Sequence, residues 1–336
     1  MTTHPPLEDY FRALAEVDSA RATAIVLGLL DDGTPMRSIT EQVLVPAQVR
    51  VGEHWQRGQW SVADEHAATA VTETALAALT RAAARPIRGD RHIVIACAEG
   101  EWHTLPARAA AGCATAGGVR ITTMGPSMPA EHLGRRLAAG DVDLLALSCT
   151  MPTNLIGAAR CVQAAHDQGV PVLTGGRAFG RGAGRSEAIG ADAHASSPQA
   201  LIGPIPEMAG RASDIPLEAL LLDAVEPGAV CLAHERLVAA YPRHVGMTGD
   251  AQALSREDLR SMARFTGAAL VVKSPGLLDD FLSWLAGLLS PDLSIPVLTA
   301  GAHLLADVLE PDAPTGADLL RTRADRLKQS VLRQDN

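Results

Sequence analysis

Five short apolar runs alternate with helical segments in the middle of the chain, and this alternation restricts the fold more than any other feature. The runs are "HIVIACA" (92–98), "GVRITTMG" (118–125), "VDLLALSCT" (142–150), "VPVLTGG" (170–176) and "ADAHASS" (191–197). Repeated strand-helix connectivity predicts a parallel sheet that is covered by helices on both faces. A sheet of this size suits a flavodoxin-like order, in which ligands bind at the carboxyl ends of the strands.

Helical periodicity dominates residues 7–84, which precede the alternating region. The pattern predicts four helices joined by short polar turns, and this favours an antiparallel bundle. Pro46 is expected to begin one of the helices. Ser61 is expected to cap another, because Asp64 follows it three residues later.

Helical spacing returns after about residue 205. It is seen in four stretches, "LEALLLDAVEPGAVCLAHERLVAAY", "SREDLRSMARFTGAALVVK", "GLLDDFLSWLAGLL" and "IPVLTAGAHLLADVLE". The predicted fold class is therefore α/β plus all-α. The predicted domains are a four-helix bundle cap at 1–87, a flavodoxin-like parallel-sheet domain at 88–204 and an all-α domain at 205–336.

Composition excludes some function classes. The formal net charge is −9, which argues against a nucleic-acid surface because affinity for DNA depends on Lys and Arg that neutralise phosphates. The five cysteines have no C-x-x-C spacing and are interpreted as small buried side chains in a reducing compartment. The sequence carries neither a signal-peptide pattern nor a long apolar run, so a cytoplasmic location is expected.

Polar and small residues follow three of the predicted strands. Since the carboxyl ends of parallel strands meet at one edge of a sheet, these residues are expected to lie close together. They are Glu101 and His103 after the first strand, Ser148 and Thr150 at the end of the third, and Gly175 and Gly176 at the end of the fourth. In the helical region before the sheet, Trp55 precedes Glu65 and His66 with the spacing W-x9-EH.

These motifs resemble those of the cobalamin (B12)-binding photoreceptors of the CarH-like type. The similar features are an acid-x-His loop, a Ser-x-Thr strand end, a Gly-Gly turn and the cap segment "VGEHWQRGQWSVADEHAATA". The resemblance covers about residues 7–200. It implies a helical cap over a flavodoxin-like domain that binds adenosylcobalamin.

The resemblance implies a role for each residue of the sheet edge. His103 is the lower axial ligand of cobalt, bound after the cofactor's own base is displaced (base-off/His-on). Glu101 is placed to accept a hydrogen bond from the N–H of the ring nitrogen that does not bind the metal. Most ligating histidines have an oxygen partner of this kind. Ser148 and Thr150 would hydrogen-bond to the displaced nucleotide tail, and Gly175 and Gly176 would let it approach the backbone.

The cap residues would cover the upper face of the cofactor. Trp55 would form a flat apolar lid, and Glu65 and His66 would contact the adenosyl group. Structural alternatives stay open: Trp55 as core filler, Ser148 and Thr150 as helix caps, and the two glycines as a turn.

Two positions differ from the family pattern. Pro106 stands where the family loop often has a glycine, so the loop could be shaped differently. Gln56 stands where related receptors have a histidine that takes the upper face of cobalt after illumination. His54 precedes the Trp, but on a helix it would point about 100° away from the residue after it.

The resulting hypothesis is a light sensor, and not an enzyme, that changes conformation or assembly when the Co–C bond breaks. The alternative is a corrinoid methyl carrier that serves methyltransferases and shares His103 and the Gly-Gly turn. A B12-dependent mutase subunit would need a large barrel. A sensor of B12 occupancy without a light response is also open.

The order of cap, B12 domain and helical domain resembles the photocobilins, which implies a globin-like third domain that binds a bilin such as biliverdin. With only Cys231 available for a thioether, the bilin is expected to bind noncovalently. The segment "CLAHERLVAAYPRH" could hold tetrapyrrole carboxylates or be an exposed helix end. His234, His244, His303 and Trp284 are interpreted as structural.

The partners are expectations from the same reasoning. The cap begins near residue 7, so direct binding of nucleic acid is not expected. No membrane contact is expected either. A homo-oligomer, either a dimer or a tetramer, and an unidentified protein partner for the output are expected.

Overall fold

The computed structural model of the protein describes residues 6–208, 214–225, 227–240, 254–288 and 294–332. Its first part is a helical bundle, as the periodicity of residues 7–84 predicts. The helices are α1 (Pro6–Ala15), α2 (Ser19–Asp31), α3 (Met36–Ile39), α4 (Val45–Gln56) and α5 (Val62–Ala83). Ser61 and Asp64 form the predicted capping box at the start of α5.

A π-helical turn, Thr40–Leu44, joins α3 to α4 without a break, so that one helix runs from Met36 to Gln56. Pro46 lies in the first turn of α4, where the sequence predicts a helix start, but a π turn and not a loop precedes it. In a regular α-helix the proline ring would clash with the carbonyl four residues earlier. The π turn widens the backbone just before Pro46, and the Val45 N–H bonds to Thr40 O, five residues back.

The predicted parallel sheet is present with a flavodoxin-like strand order, β2-β1-β3-β4-β5. Its strands are β1 (His92–Cys97), β2 (Arg120–Thr123), β3 (Leu144–Ser148), β4 (Val172–Gly175) and β5 (Ala193–Ala195). The helices between them are α6 (Leu105–Ala116), α7 (Ala130–Leu137), α8 (Leu155–His166) and α9 (Gly184–Ala188). Short 3₁₀ turns occur at Pro152–Asn154, Arg177–Phe179 and Pro198–Leu201.

Six described helices follow the sheet. They are α10 (Leu217–Asp223), α11 (Pro227–Ala240), α12 (Arg256–Val271), α13 (Gly276–Leu288), α14 (Ser294–Leu309) and α15 (Pro314–Leu332). The stretch that the sequence predicts as one helix from 217 to 241 is divided, because α10 ends at Asp223 and α11 begins at Pro227. Proline is favoured at a helix start and unfavourable within a helix, so Pro227 separates the two.

A hydrophobic core between α6 and the sheet includes Ala111 and Ile95, and two further cores position the site. One is continuous from the β3 and β4 face of the sheet through α8 into the C-terminal helices, and includes Leu147, Ile156 and Leu222. The other fills the cap and takes in Ala109 and Cys113 of α6. Helix α6 therefore lies between the cap and the sheet. None of the described helices combines the length and apolar character that crossing a membrane requires.

Candidate functional site

The loop between β1 and α6 carries the Glu101–His103 pair at the carboxyl edge of the sheet. His103 precedes Thr104, the N-cap residue of α6. The Thr104 hydroxyl does not cap this helix, and donates instead to Glu73 Oε1 of the cap at 3.0 Å. Pro106 lies in the first turn of α6, where the backbone N–H has no partner within the helix, so that its absence from proline loses no hydrogen bond. The loop therefore leads into a regular helix although it lacks the glycine of the family pattern.

Glu101 is fully buried and collects five hydrogen bonds. Its Oε1 accepts from the backbone N–H of His103 at 2.8 Å and from His103 Nδ1 at 2.6 Å. Its Oε2 accepts from the backbone N–H groups of Thr150 at 2.7 Å and Met151 at 2.9 Å, and from Asn154 Nδ2 at 3.3 Å. Burial raises the pKa of Glu101, but the hydrogen bonds outweigh it and lower the pKa to about 2.

His103 is held in one tautomer by this carboxylate. An ionised carboxylate can only accept, so Nδ1 carries the proton and Nε2 is left with the lone pair when the ring is neutral. The His103 side chain is 55% exposed. Among the residues that the structure describes, no partner contacts Nε2. The hydrogen bond to Glu101 raises the pKa of His103 against the effect of burial, and the charge of Glu65 in the cap adds to the increase.

Sequence reasoning missed the groups that hold Glu101 in place. The segment after β3 contributes two backbone N–H groups and the Asn154 amide, while the hydroxyl of Ser127 accepts from the N–H of Gly100 at 3.1 Å. The signal for Asn154 is weak, since "MPTN" is typical of an ordinary proline turn. Trp102 was also missed, and its side chain is 72% exposed beside His103.

The structure brings Ser148 and Gly175 side by side. Ser148 pairs in register with Gly175 and with Cys97, and Gly175 pairs with Ala195. Side chains of register partners share a face of the sheet, so a row of small residues crosses the carboxyl edge on the face that α6 covers. A methyl group at Gly175 would lie 3.5 Å from Ala195 Cβ, an ordinary contact.

Gly176 is required by the turn itself. Its φ is +111°, and a Cβ there would lie 2.2 Å from the carbonyl oxygen of Cys149. The structural interpretation of the Gly-Gly pair as a turn therefore explains Gly176, whereas the turn does not require glycine at Gly175.

Thr150 presents a buried hydroxyl with no hydrogen-bond partner among the described residues. Its backbone N–H donates to Glu101, so the residue is held within the Glu101 network. A buried polar group without a partner costs free energy, and its presence at a functional site calls for a ligand or a water. His194 Nε2 of β5 is a second buried atom of the sheet without a partner among the described residues, but Thr150 is the one that belongs to the Glu101 network.

Among the cap residues, Glu65 interacts with this edge, since its charge helps to raise the pKa of His103. Glu65 accepts from Thr69 Oγ1 at 3.0 Å, and its second oxygen is 2.7 Å from His66 Nδ1. The His66 ring also donates to the carbonyl of Val62 and is 73% exposed. Trp55 is 45% exposed, which argues against its interpretation as core filler.

His54 points away from Trp55, as the helical spacing predicts. Its ring lies 5.2 Å from the ring of Phe11 and 5.4 Å from that of Trp60, and its Nδ1 donates to the carbonyl of Arg50. Gln56 is exposed.

Two candidate residues of the C-terminal helices, His303 and Trp284, have described contacts. His303 Nε2 pairs with Asp325 Oδ1 at 3.0 Å, in agreement with a structural role. Trp284 is 40% exposed and lies beside Phe281, so it is not a core side chain. Tyr241, Arg243 and His244 lie outside the described residues, as does the side chain of His234.

The site offers one metal-binding side chain, which suits a metal that is already coordinated by a cofactor and needs a single ligand from the protein. Within the described ranges, no group of three or more His, Cys, Asp or Glu side chains could hold a bare ion. His103 offers a single oriented imidazole nitrogen, and the Glu101 carboxylate provides the second hydrogen bond that ligating histidines usually make.

Two matches to protein families decide the identity of this site. Residues 6–80 match the family model of a B12 binding domain, and residues 91–198 match a second family model with the same description. The chain belongs to the B12-binding proteins. The predicted cobalamin cofactor is thereby confirmed, and the bundle and the sheet are its two B12-binding domains.

Known proteins are similar to this chain in sequence or in structure. Over 174 residues the chain is 32% identical to the HTH-type transcriptional repressor CarH of Myxococcus xanthus, a match that covers 51% of this chain and 57% of the repressor. The chain thus spans little more than half the length of that relative.

The fold is similar to that of the monomethylamine corrinoid protein of Methanosarcina barkeri. The TM-score is 0.52 at 20% sequence identity, over 58% of this chain and 94% of the corrinoid protein. At this identity the likeness shows the fold alone.

The residues present fit a cobalamin. His103 Nε2 is open and oriented, Thr150 Oγ1 lacks a partner among the described residues, and Ser148 and Gly175 leave a row of small residues beside them. The predicted site residues of the sheet edge are therefore adjacent, and their individual roles stay predictions.

Proposed function

We propose that this chain is a light sensor that holds adenosylcobalamin base-off, with His103 as the lower axial ligand of cobalt. The observation that carries the proposal is the His103 imidazole, whose Nδ1 donates to a fully buried carboxylate at 2.6 Å. This arrangement directs Nε2, the nitrogen with the lone pair, away from Glu101. The CarH-like resemblance and the two B12 binding domain matches support it.

Three groups of residues would hold the cofactor. Glu101 and His103 would bind and orient the metal, while Ser148, Thr150, Gly175 and Gly176 would receive the nucleotide tail. Trp55, Glu65 and His66 would contact the adenosyl group from the cap. When bound, the cofactor supplies a Co–C bond that light can break.

The residues of the chain determine the response to illumination. Glu73 of α5 accepts from Thr104 at 3.0 Å and pairs with Arg108 at 3.2 Å, so the cap is tied to the residue after His103. Trp55 and Glu65 stabilise the closed cap only while they have a ligand to contact. Their loss of contact shifts the balance toward a moved cap, a two-state response to a ligand.

The proposal also includes how the light signal leaves the sensor. The sensor acts as a dimer or tetramer in the cytoplasm and passes the change to an unidentified protein partner. It does so without binding nucleic acid through residues 1–336. The division of the chain at 87 and 204 into cap, B12 domain and helical domain is part of this proposal.

A bilin in the C-terminal helices is proposed as a second chromophore, bound noncovalently. An aromatic cluster supports it: Phe265 and Phe281 stack with ring centres 4.1 Å apart, and Trp284 lies 6.0 Å beyond with a partly exposed ring. Phe281 is buried, so the partly exposed Trp284 ring is the part of this cluster that offers a stacking surface for a flat tetrapyrrole. Biliverdin added to the cofactor-free protein should give a long-wavelength band that survives gel filtration, and no retained band would remove this part of the proposal.

The light response is tested by reconstituting the protein in the dark with adenosylcobalamin and exposing it to green light. Expected results are a stable photoproduct spectrum and a change in elution volume on gel filtration. Methylcobalamin provides the matched comparison. If adenosylcobalamin does not bind, methylcobalamin does, and light changes neither mass nor shape, the proposal fails and the corrinoid methyl carrier becomes the better account.

A further inference from the structure

A short chain of hydrogen bonds leads from the C-terminal helices to His103. Arg264 of α12 donates from Nη2 to Asn154 Oδ1 at 3.3 Å. Asn154 donates from Nδ2 to Glu101 Oε2 at 3.3 Å, and Glu101 accepts from His103 Nδ1 at 2.6 Å. Three hydrogen bonds therefore connect α12, which lies outside both matched B12 binding domains, to His103, the proposed cobalt ligand.

The chemistry of the two end groups fixes the orientation of the amide between them. A guanidinium can only donate, so Asn154 must turn its oxygen toward Arg264. An ionised carboxylate can only accept, so Asn154 must turn its nitrogen toward Glu101. Both neighbours select the same rotamer of the amide, which makes Asn154 a defined link rather than an adaptable one.

Close packing holds Arg264 in position. Gly267, one turn along α12, has so little space that a Cβ would lie 3.1 Å from the carbonyl oxygen of Ala219 and 3.3 Å from Ile156 Cδ1. Helix α12 is thus packed directly against α10 and α8, within the continuous core that reaches the sheet.

Charge also anchors Arg264. Its Nε lies 3.8 Å from Asp223 Oδ1, and Asp223 Oδ2 lies 3.7 Å from Arg160 of α8. Arg160 in turn lies 3.7 Å from Glu99, two residues before Glu101. These half-buried charges join α12, α10, α8 and the loop after β1 in one network.

We propose that Arg264 is a positioning residue for His103, and that it couples the C-terminal helices to the metal-binding side chain through Asn154 and Glu101. The proposal rests on His103 being the cobalt ligand. By the thermodynamic cycle, the effect of an Arg264 substitution on cobalamin affinity equals the effect of bound cobalamin on the free-energy cost of that substitution. The C-terminal helices can therefore respond to the occupancy of the site.

The first test is a double-mutant cycle on the full-length protein with adenosylcobalamin in the dark, using Arg264→Gln, Asn154→Ala and the double variant. Arg260→Gln is the matched control, because Arg260 lies on the same helix and pairs with Glu257 at 2.9 Å. The Kd should rise about 3- to 10-fold for Arg264→Gln and stay unchanged for Arg260→Gln. In the Asn154→Ala background, Arg264→Gln should add nothing. Additive effects, or equal Kd values for Arg264→Gln and Arg260→Gln, would overturn the proposal.

The second test needs no cofactor and separates this proposal from the identity of the ligand. The imidazole ¹⁵N resonances of His103 should shift in Arg264→Gln and in Asn154→Ala, but not in Arg260→Gln. Unchanged resonances in all three variants would refute the coupling, even if His103 binds cobalt. If these resonances shift but His103→Ala gives a normal cobalamin spectrum, Arg264 is coupled to His103, and His103 is not the cobalt ligand.

A third measurement covers the case in which Arg264→Gln does not fold. Amide hydrogen exchange of α12 in the wild-type protein should slow when adenosylcobalamin is added, more than that of α15. Equal exchange in α12 with and without adenosylcobalamin would contradict the proposal.

Discussion

One carboxylate oxygen of Glu101 holds His103 at two points, because Oε1 accepts from the imidazole Nδ1 at 2.6 Å and from the backbone N–H of the same residue at 2.8 Å. The second oxygen of Glu101 accepts from the segment after β3. Two neighbouring strands thereby fix the tautomer and the direction of one histidine, which is what a ligating imidazole requires.

Glu101 should make the free energy of unfolding of the cofactor-free protein fall as the pH is lowered. Its pKa is about 2 in the folded chain against an ordinary value of 4.5. A lowered carboxyl pKa contributes stability that is present above pH 4.5 and lost as the pH falls toward 2. The shift corresponds to roughly 3 kcal/mol in the free energy of unfolding. Denaturant unfolding of wild type and Glu101→Gln should differ most at pH 6–7 and converge near pH 2, and a constant difference would contradict this account.

Thr150→Val should separate cofactor binding from stability. The Thr150 hydroxyl has no described partner, so its removal should leave the free energy of unfolding unchanged or higher. If the hydroxyl binds the nucleotide tail, the Kd for cobalamin should rise about 3- to 10-fold. Thr122→Val is the control, because the Thr122 hydroxyl is 2.8 Å from His92 Nε2, away from the site. The control should lower stability and leave the Kd unchanged. An unaltered Kd for Thr150→Val would remove Thr150 from the site.

The two glycines after β4 should respond differently to alanine. Gly176→Ala forces a Cβ to 2.2 Å from Cys149 O at a φ of +111°, and should cost about 2 kcal/mol or more in unfolding free energy. Gly175→Ala meets only ordinary contacts and should change stability by less than about 1 kcal/mol. It should nevertheless weaken cobalamin binding, because the methyl group enters the row of small residues. Wild-type affinity for Gly175→Ala, measured by absorbance titration, would show that the tail does not pass there.

Trp55→Ala should affect the upper ligand selectively. Trp55 is 45% exposed, so its truncation should cost little stability in the cofactor-free protein. Binding of adenosylcobalamin should weaken more than binding of methylcobalamin, because only the larger ligand reaches the lid. Trp60→Ala is the comparison, because Trp60 stacks on Phe11 with ring centres 5.6 Å apart. This substitution should lower the free energy of unfolding and should not weaken binding of one cobalamin more than the other. Equal losses in Trp55→Ala would refute the lid.

Much of the fold could be predicted because the patterns are local. The five strands, their order and the capping box at Ser61 follow from apolar periodicity and from residues within one turn. The path through Pro46 could not be predicted, because the π turn that accommodates it is a backbone adjustment without a sequence signal. The split before Pro227 has a signal, a proline at a helix start, which the long periodic stretch obscured.

The site was predictable where chemistry and spacing coincide, as for Glu101 and His103. The groups that hold Glu101 were not predictable, since Asn154 comes from another strand end and Arg264 from a helix 110 residues further along. Long-range hydrogen bonds leave no periodic trace in a single sequence. The opposite outcomes at Gly175 and Gly176 likewise depend on a tertiary contact, with Cys149, that the Gly-Gly pair alone does not reveal.

The central claim is that His103 Nε2 binds cobalt. The most direct measurement is the absorption spectrum of adenosylcobalamin bound in the dark to wild-type protein and to His103→Ala. We expect a base-off/His-on spectrum for the wild type that is lost in the variant, while the far-ultraviolet circular dichroism of the two proteins stays the same. An identical bound spectrum in wild type and His103→Ala would contradict it.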